Sequence, residues 1–205
     1  MQLLLKHTPQ PWPWGCQYYS LYSLLGDERI LADVTECNST RFEERARELG
    51  YFLYRIYADV TCTVPMPSVL WEKLFGGAEG MARLEGYEVP FLIDTHSLKH
   101  PSVYHTVAIT LRVRFAGCPE AFISVRVFDP GCAGEKEFET LADFLASGYG
   151  RVYELKQVMP LERFDELFPK HFGPDAAHVS PEVRQAWENT LRTVSILPEA
   201  AAAIA

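Results

Sequence analysis

Apolar and polar positions alternate most regularly over residues 103–115 and 121–129, with Ala116-Gly117-Cys118-Pro119-Glu120 between them. A period of two over that length predicts two antiparallel strands joined by a turn. Symmetry about Gly117 sets His105 opposite Asp129, Val107 opposite Val127, Ile109 opposite Val125 and Leu111 opposite Ile123. The odd-numbered residues then form one apolar face, and Thr106, Thr110, Arg112, Arg114, Ser124 and Arg126 share the other. A one-residue slip would break that sorting. His105 and Asp129 become the polar end of an apolar face, and directly opposed residues bring their Cβ atoms within ~4.5–5.5 Å.

Elsewhere the period lengthens. Leu21, Leu24 and Leu25 fall at helical spacing after Cys16, and Gly26 is a stop. Pro11 and Pro13 keep the stretch before Cys16 out of the helix. Thr40-x-x-Glu43 predicts a capping box and a helix through Leu49, ended by Gly50. Residues 51–57 (YFLYRIY) read as a strand. Residues 61–67 read as a proline-punctuated connection, and residues 68–75 as a short helix ended by Gly76-Gly77. Residues 87–93 read as a strand whose Pro90 places it at an edge or a bulge. Beyond Asp129-Pro130-Gly131, the pattern predicts a helix over 138–147, a strand over 151–158, and helices over 161–168 and 181–195, with an Ala-rich tail. Residues 30–34 and 81–86 carry no decisive period. The expected fold class is α+β.

Composition narrows the function. A formal net charge of −8 over 205 residues argues against a nucleic-acid surface. The basic residues between Arg41 and Arg47 alternate with Glu43, Glu44 and Glu48, which reads as a solvated helix face. Five cysteines, an odd number, are widely spaced without a C-x-x-C, and no apolar run matches a signal peptide or a membrane span. These features predict free thiols in a reducing, cytoplasmic setting with no membrane partner.

The chemistry starts at Cys16. At the first turn of a helix, free backbone N–H groups and the positive dipole end favour a thiolate. Gln10 lies six residues upstream across a stiff loop. Taken alone, Cys16 also fits a small core residue, and His105 with Asp129 fits a satisfied structural pair. The two readings part only if the pair and the thiol meet.

A Q-x5-C at a loop-to-helix junction, then a His on one strand and an Asp on the next, resembles the papain-like cysteine peptidases. The likeness is closer to their bacteriocin-leader-processing branch and its stand-alone relatives. The segments that fit, in order, are residues 10–16 with their helix, FEERARELGY (42–51) with the strand after it, VPFLI (89–93), YHTVA (104–108), VFDP (127–130), and residues 138–145 with the following strand. They cover roughly residues 8–158. The resemblance implies a papain-like fold within residues 1–170. A helical lobe (about 1–80) carrying Cys16 would pack on an antiparallel β lobe (81–170) carrying His105 and Asp129, with a helical extension over 171–205. It also implies that Gln10 serves the oxyanion hole. Gln17 stands where such peptidases have glycine, and the His-to-Asp hairpin is longer than theirs.

Three functions follow as expectations: a thiol peptidase or amidohydrolase acting on a peptide or protein, an acyltransferase on the same fold, or a catalytically silent binding protein. None requires a cofactor or metal. His96-x3-His100 has ligand spacing but lies in a Ser/Lys/Pro-flanked loop. Cys37, Cys62, Cys118 and Cys132 read as packing or loop residues. His7, His171 and His178 read as exposed. Asp94 and Asp143 are rival orienters for His105. Trp12, Trp14, Tyr18 and Tyr19 are candidates for substrate subsites, whereas Tyr22 reads as helix packing.

Overall fold

A computed structural model of the chain describes residues 3–32, 34, 39–58, 86–114 and 122–163. The fold class is α+β. Helix α1 (Cys16–Leu25), a 3-10 turn (Glu28–Ile30) and α2 (Ser39–Glu48) lead into β1 (Tyr51–Ala58). Then come β2 (Glu88–His96), β3 (Tyr104–Arg114), β4 (Phe122–Phe128), β5 (Lys136–Phe138), α3 (Leu141–Ala146) and β6 (Glu154–Pro160). The six strands form one antiparallel sheet in the order β1-β6-β2-β3-β4-β5. β1 belongs to it through β6, so the sheet draws on both halves of the chain. The predicted helix over 68–75, the turn over 116–120 and the elements after residue 163 lie outside the described residues.

Strict alternation sorts two cores onto the two faces of the sheet. Phe52, Tyr54, Phe91, Ile93, Val107, Ile109, Val125 and Leu155 pack with Phe144 of α3 and with Tyr149 on one face. Leu53, Leu92, Ala108, Phe128 and Val158 face the other way, against Leu21, Leu24, Ile30, Phe42 and Ala46. Leu21 and Leu24 are fully buried, so truncating either to Ala would cost about 2–5 kcal/mol. This second core fixes α1 on the sheet.

Four local expectations change. The β3–β4 register is shifted by two residues from symmetry about Gly117: Ile109 pairs with Val127 and Leu111 with Val125. A two-residue shift preserves every face, so the alternation could not detect it. Pro90 lies on an interior strand, not an edge, and no bulge interrupts its pairing with β3. It shares its side with Asp94, whose C=O accepts Tyr153 N–H at 2.8 Å, but pairing with β6 starts only at Phe91. The missing N–H therefore leaves no ladder bond unmade. The predicted helix over 138–147 shrinks because Phe138 pairs with Val125 in the sheet. Thr140 then caps α3 by accepting Asp143 N–H at 3.1 Å. Finally, α2 runs from Ser39 to Glu48, opening before the start expected after Thr40. Glu43 does not stay on a solvated face. It reaches the sheet, pairing with Arg55 and with buried Lys156, each at 3.1 Å.

Candidate active site

β4 ends at Phe128, opposite Ala108, while β3 begins earlier, at Tyr104. Beyond Ala108 the β3 edge has lost its partner strand. Thr106 lies there, and both its backbone groups turn to α1 instead. Ser20 Oγ–H donates to Thr106 C=O at 2.9 Å, and Thr106 N–H donates to Cys16 Sγ at 3.5 Å. Residues 16 and 20 are one helical turn apart, so a single helix face closes the vacated edge. Ser20 is fully buried, because an unmet carbonyl there would be costly.

Cys16 opens α1. Gly15, the N-cap, has φ 88°, and a Cβ there would lie 2.9 Å from Val34 Cγ1. Glycine is thus required both by the left-handed backbone and by the close approach. The first N–H groups of the helix have no intrahelical acceptor, and they point at the end where the thiol sits.

His105 follows the odd-numbered row of β3, so it belongs to the face opposite α1. It comes to the vacated edge beside Cys16, near enough that each side chain shifts the other's ionisation. His105 Nε2–H donates to Asp129 Oδ1 at 2.7 Å, which leaves Nδ1 as the ring nitrogen for the thiol. His105 and Asp129 are thus in contact without being paired residues of the ladder. Asp129 lies in the turn after β4, and that turn folds its carboxylate back to the ring. The Asp129 carboxylate has further donors: Gly131 N–H to Oδ1 at 2.7 Å and Tyr149 Oη–H to Oδ2 at 2.8 Å. A Cβ on Gly131 would stand 3.2 Å from both Asp129 Oδ1 and His105 Nε2.

The charges follow from these contacts. Burial acts to raise the Cys16 thiol, but the hydrogen bonds from His105 and Thr106 N–H outweigh it, and its pKa lies below the ordinary thiol value. Burial acts to lower His105, yet hydrogen bonds with Asp129 and Cys16 raise it to about 9. Burial likewise opposes ionisation of Asp129, and its donors, His105 first, hold it well below the usual carboxylate range. Near neutral pH the site therefore favours an imidazolium beside a carboxylate, and that pair makes the Cys16 thiol easier to ionise than a free one. Together the three supply a nucleophile, a proton donor and an orienting group.

Gln10 is brought to the same region by its backbone: its N–H donates to Pro130 C=O at 2.9 Å. One N–H of its side-chain amide donates to Trp12 C=O at 2.9 Å, and an amide carries a second. Trp12 and Trp14 are exposed and stack at 5.8 Å between centroids, whereas Tyr18 is buried in the second core and Tyr22 packs against it. Gln17 is partly exposed beside the thiol.

The rival orienters are engaged elsewhere. Asp94 accepts from Thr106 Oγ1 and lies near Lys156, and Asp143 accepts from Thr140 Oγ1. His96 stacks on Tyr104 at 5.5 Å. Among the described residues no group of three or more His, Cys, Asp and Glu has metal-binding geometry, and no helix is long and apolar enough to cross a membrane.

Sequence reasoning missed four participants. His7, expected to be exposed, is half-buried, and its Nε2–H donates to Asp129 C=O at 2.9 Å. Lys99 donates to Gly131 C=O. Ser20 and Tyr149 also went unnoticed. A serine one helical turn after Cys16 was a usable signal, and so was a tyrosine set between two glycines (Gly148-Tyr149-Gly150). No family model, no curated protein and no solved structure matched the chain.

Proposed function

We propose that this chain is a thiol-dependent hydrolase of the papain-like kind, acting on peptide or protein substrates through an acyl-enzyme on Cys16. The observation that carries the reading is the contact chain Cys16–His105–Asp129, in which the thiol is shifted down and the imidazole up to about 9. A structural His–Asp pair has no need of a thiol at a helix start. In the reaction the Cys16 thiolate attacks the acyl carbon and a tetrahedral intermediate forms. His105 then gives its proton to the leaving amine. Water, deprotonated by His105, hydrolyses the thioester and regenerates the thiol. Asp129 keeps the ring oriented throughout. The first free N–H groups of α1 and the second N–H of Gln10 are the candidate oxyanion donors, and loss of one such donor typically costs about 10²–10³ in rate. Acyl transfer to an amine uses the same parts and differs only in the second nucleophile.

The test is a mixture of N-terminally blocked peptides, incubated with the full chain and followed by mass spectrometry. New N-termini should appear with the wild type and not with Cys16→Ala. Cleavage that persists in Cys16→Ala, or is absent from the wild type across a broad peptide mixture, would sink the hydrolase reading. Amide products formed with an added amine would favour transfer.

A further inference from the structure

Tyr149 is the least expected group at the site. It is 1 % exposed, deep in the first core, yet its hydroxyl reaches Asp129 Oδ2 at 2.8 Å. Its placement is over-determined. A Cβ on Gly148 would stand 2.4 Å from Leu98 Cδ2, and one on Gly150 would stand 2.1 Å from Leu145 C=O. Only glycine fits at 150, where the clash is with backbone, whereas at 148 the tip of the Leu98 side chain would have to move aside. Its ring meets Phe138 edge-on at 6.5 Å, and the Lys136 ammonium lies 5.2 Å above it. Burial and the Asp129 charge both push the phenol pKa up, so it remains a proton donor. A phenylalanine would fill the same core space without the buried hydroxyl, which is costly when unpaired.

The carboxylate uses its two oxygens differently. Oδ1 serves His105 and Gly131 N–H, while Oδ2 faces the phenol. Without the phenol, the carboxylate could rotate about its Cβ–Cγ bond and withdraw Oδ1 from the ring.

We propose that Tyr149 is a positioning residue: it clamps Asp129 so that Oδ1 stays on His105 Nε2, and through that ring it keeps Cys16 in its thiolate form. This rests on the reading of Cys16 as the nucleophile. Two physical effects of the hydroxyl have opposite signs, which makes the proposal decidable. If the phenol mainly aligns the carboxylate, its removal weakens the imidazolium and raises the Cys16 pKa. If it mainly damps the negative charge, its removal strengthens the imidazolium and lowers the Cys16 pKa.

The experiment is the pH profile of iodoacetamide alkylation at Cys16, mapped by peptide mass spectrometry in the full chain. Tyr149→Phe should move the acid limb to higher pH by half a unit or more, an about threefold loss of thiolate on that limb. In an Asp129→Ala background the same substitution should cost nothing further, because a residue acting through Asp129 loses its route. A profile that overlays the wild type, or moves to lower pH, overturns the proposal, as does an additive effect in the Asp129→Ala background. Should Tyr149→Phe fail to fold, Gly131→Ala disturbs the same carboxylate from the turn and should move the limb in the same direction; an unmoved limb there also overturns it. A wild-type Cys16 no more reactive than Cys132 would instead mean that the nucleophile reading itself has failed.

Discussion

Two partly exposed thiols flank the same His–Asp pair, and their surroundings push them in opposite directions. Cys16 opens α1, accepts from Thr106 N–H and lies under the influence of His105, so its pKa falls. Cys132 sits in the turn after β4. Burial raises its pKa, and the hydrogen bond and charge of Asp129 raise it further. The difference is one of donors against acceptors. A thiolate surrounded by N–H groups and an imidazolium is stabilised, whereas a thiol that must donate to a carboxylate keeps its proton. Proximity to the site alone therefore does not make a reactive cysteine.

The sharpest way to break this comparison is selective labelling. At pH 6.5, iodoacetamide should label Cys16 at least ~10-fold faster than Cys132, because thiolate fraction outweighs the lower intrinsic nucleophilicity of a low-pKa thiol. Equal rates, read by peptide mapping, would remove the distinction. His105→Ala comes next. It should slow Cys16 labelling about 10-fold at that pH and leave Cys132 nearly unchanged, since His105 is among the main groups that shift Cys16 and not among those that shift Cys132.

Asp129→Asn is a subtler test because the two thiols should respond with opposite signs. Cys16 should slow as the imidazolium loses its partner, while Cys132 should speed up once the carboxylate charge is gone. Each change should be a few-fold. Two rates moving together would show that the substitution acts by general loosening.

The pH dependence of stability follows from the His105 shift. A histidine raised to about 9 when folded, against ~6.5 when unfolded, binds its extra proton only in the native state. Its contribution is fully present below ~6.5 and declines as pH rises to about 9, where the folded group deprotonates. Thermal melting should fall between pH 6.5 and 9.5 in the wild type, and less steeply in His105→Ala. Identical slopes would dissociate the ion pair from stability. The smallest effect expected on the site is that of Ser20→Ala. It leaves Thr106 C=O without a donor and should cost about 1–3 kcal/mol by denaturant melting, with only a modest change in Cys16 labelling.

Much of this arrangement was legible in the chain. The start of α1 at Cys16 follows from Pro11, Pro13, Gly15 and the leucine spacing. The two faces of β3 and β4 follow from strict alternation, and so does the place of His105 on the apolar one; Asp129, expected opposite it on β4, lies instead in the turn after that strand. Other features left no local trace. Pro90 looked like an edge residue because its neighbour across the sheet, β6, comes more than sixty positions later in the chain. Phe138 looked helical because its company on β4 is invisible from its own segment. His7 bears no sign of the turn whose carbonyl it holds.

Among the described residues, local pattern thus determined most of the helical and extended segments, Phe138 apart, and which face each strand residue takes, because those depend on backbone periods of 3.6 and 2. It did not determine the β3–β4 register, since a shift by two residues leaves every side chain on its own face. Tertiary structure decided that register, and with it the early end of β4 that leaves Thr106 without a partner on the β4 side. The vacated edge then let a helix from one face and a histidine from the other reach each other. Tyr149 closes the same arrangement from the core side, next to Gly150, whose missing side chain is explained only by the Leu145 carbonyl packed against it.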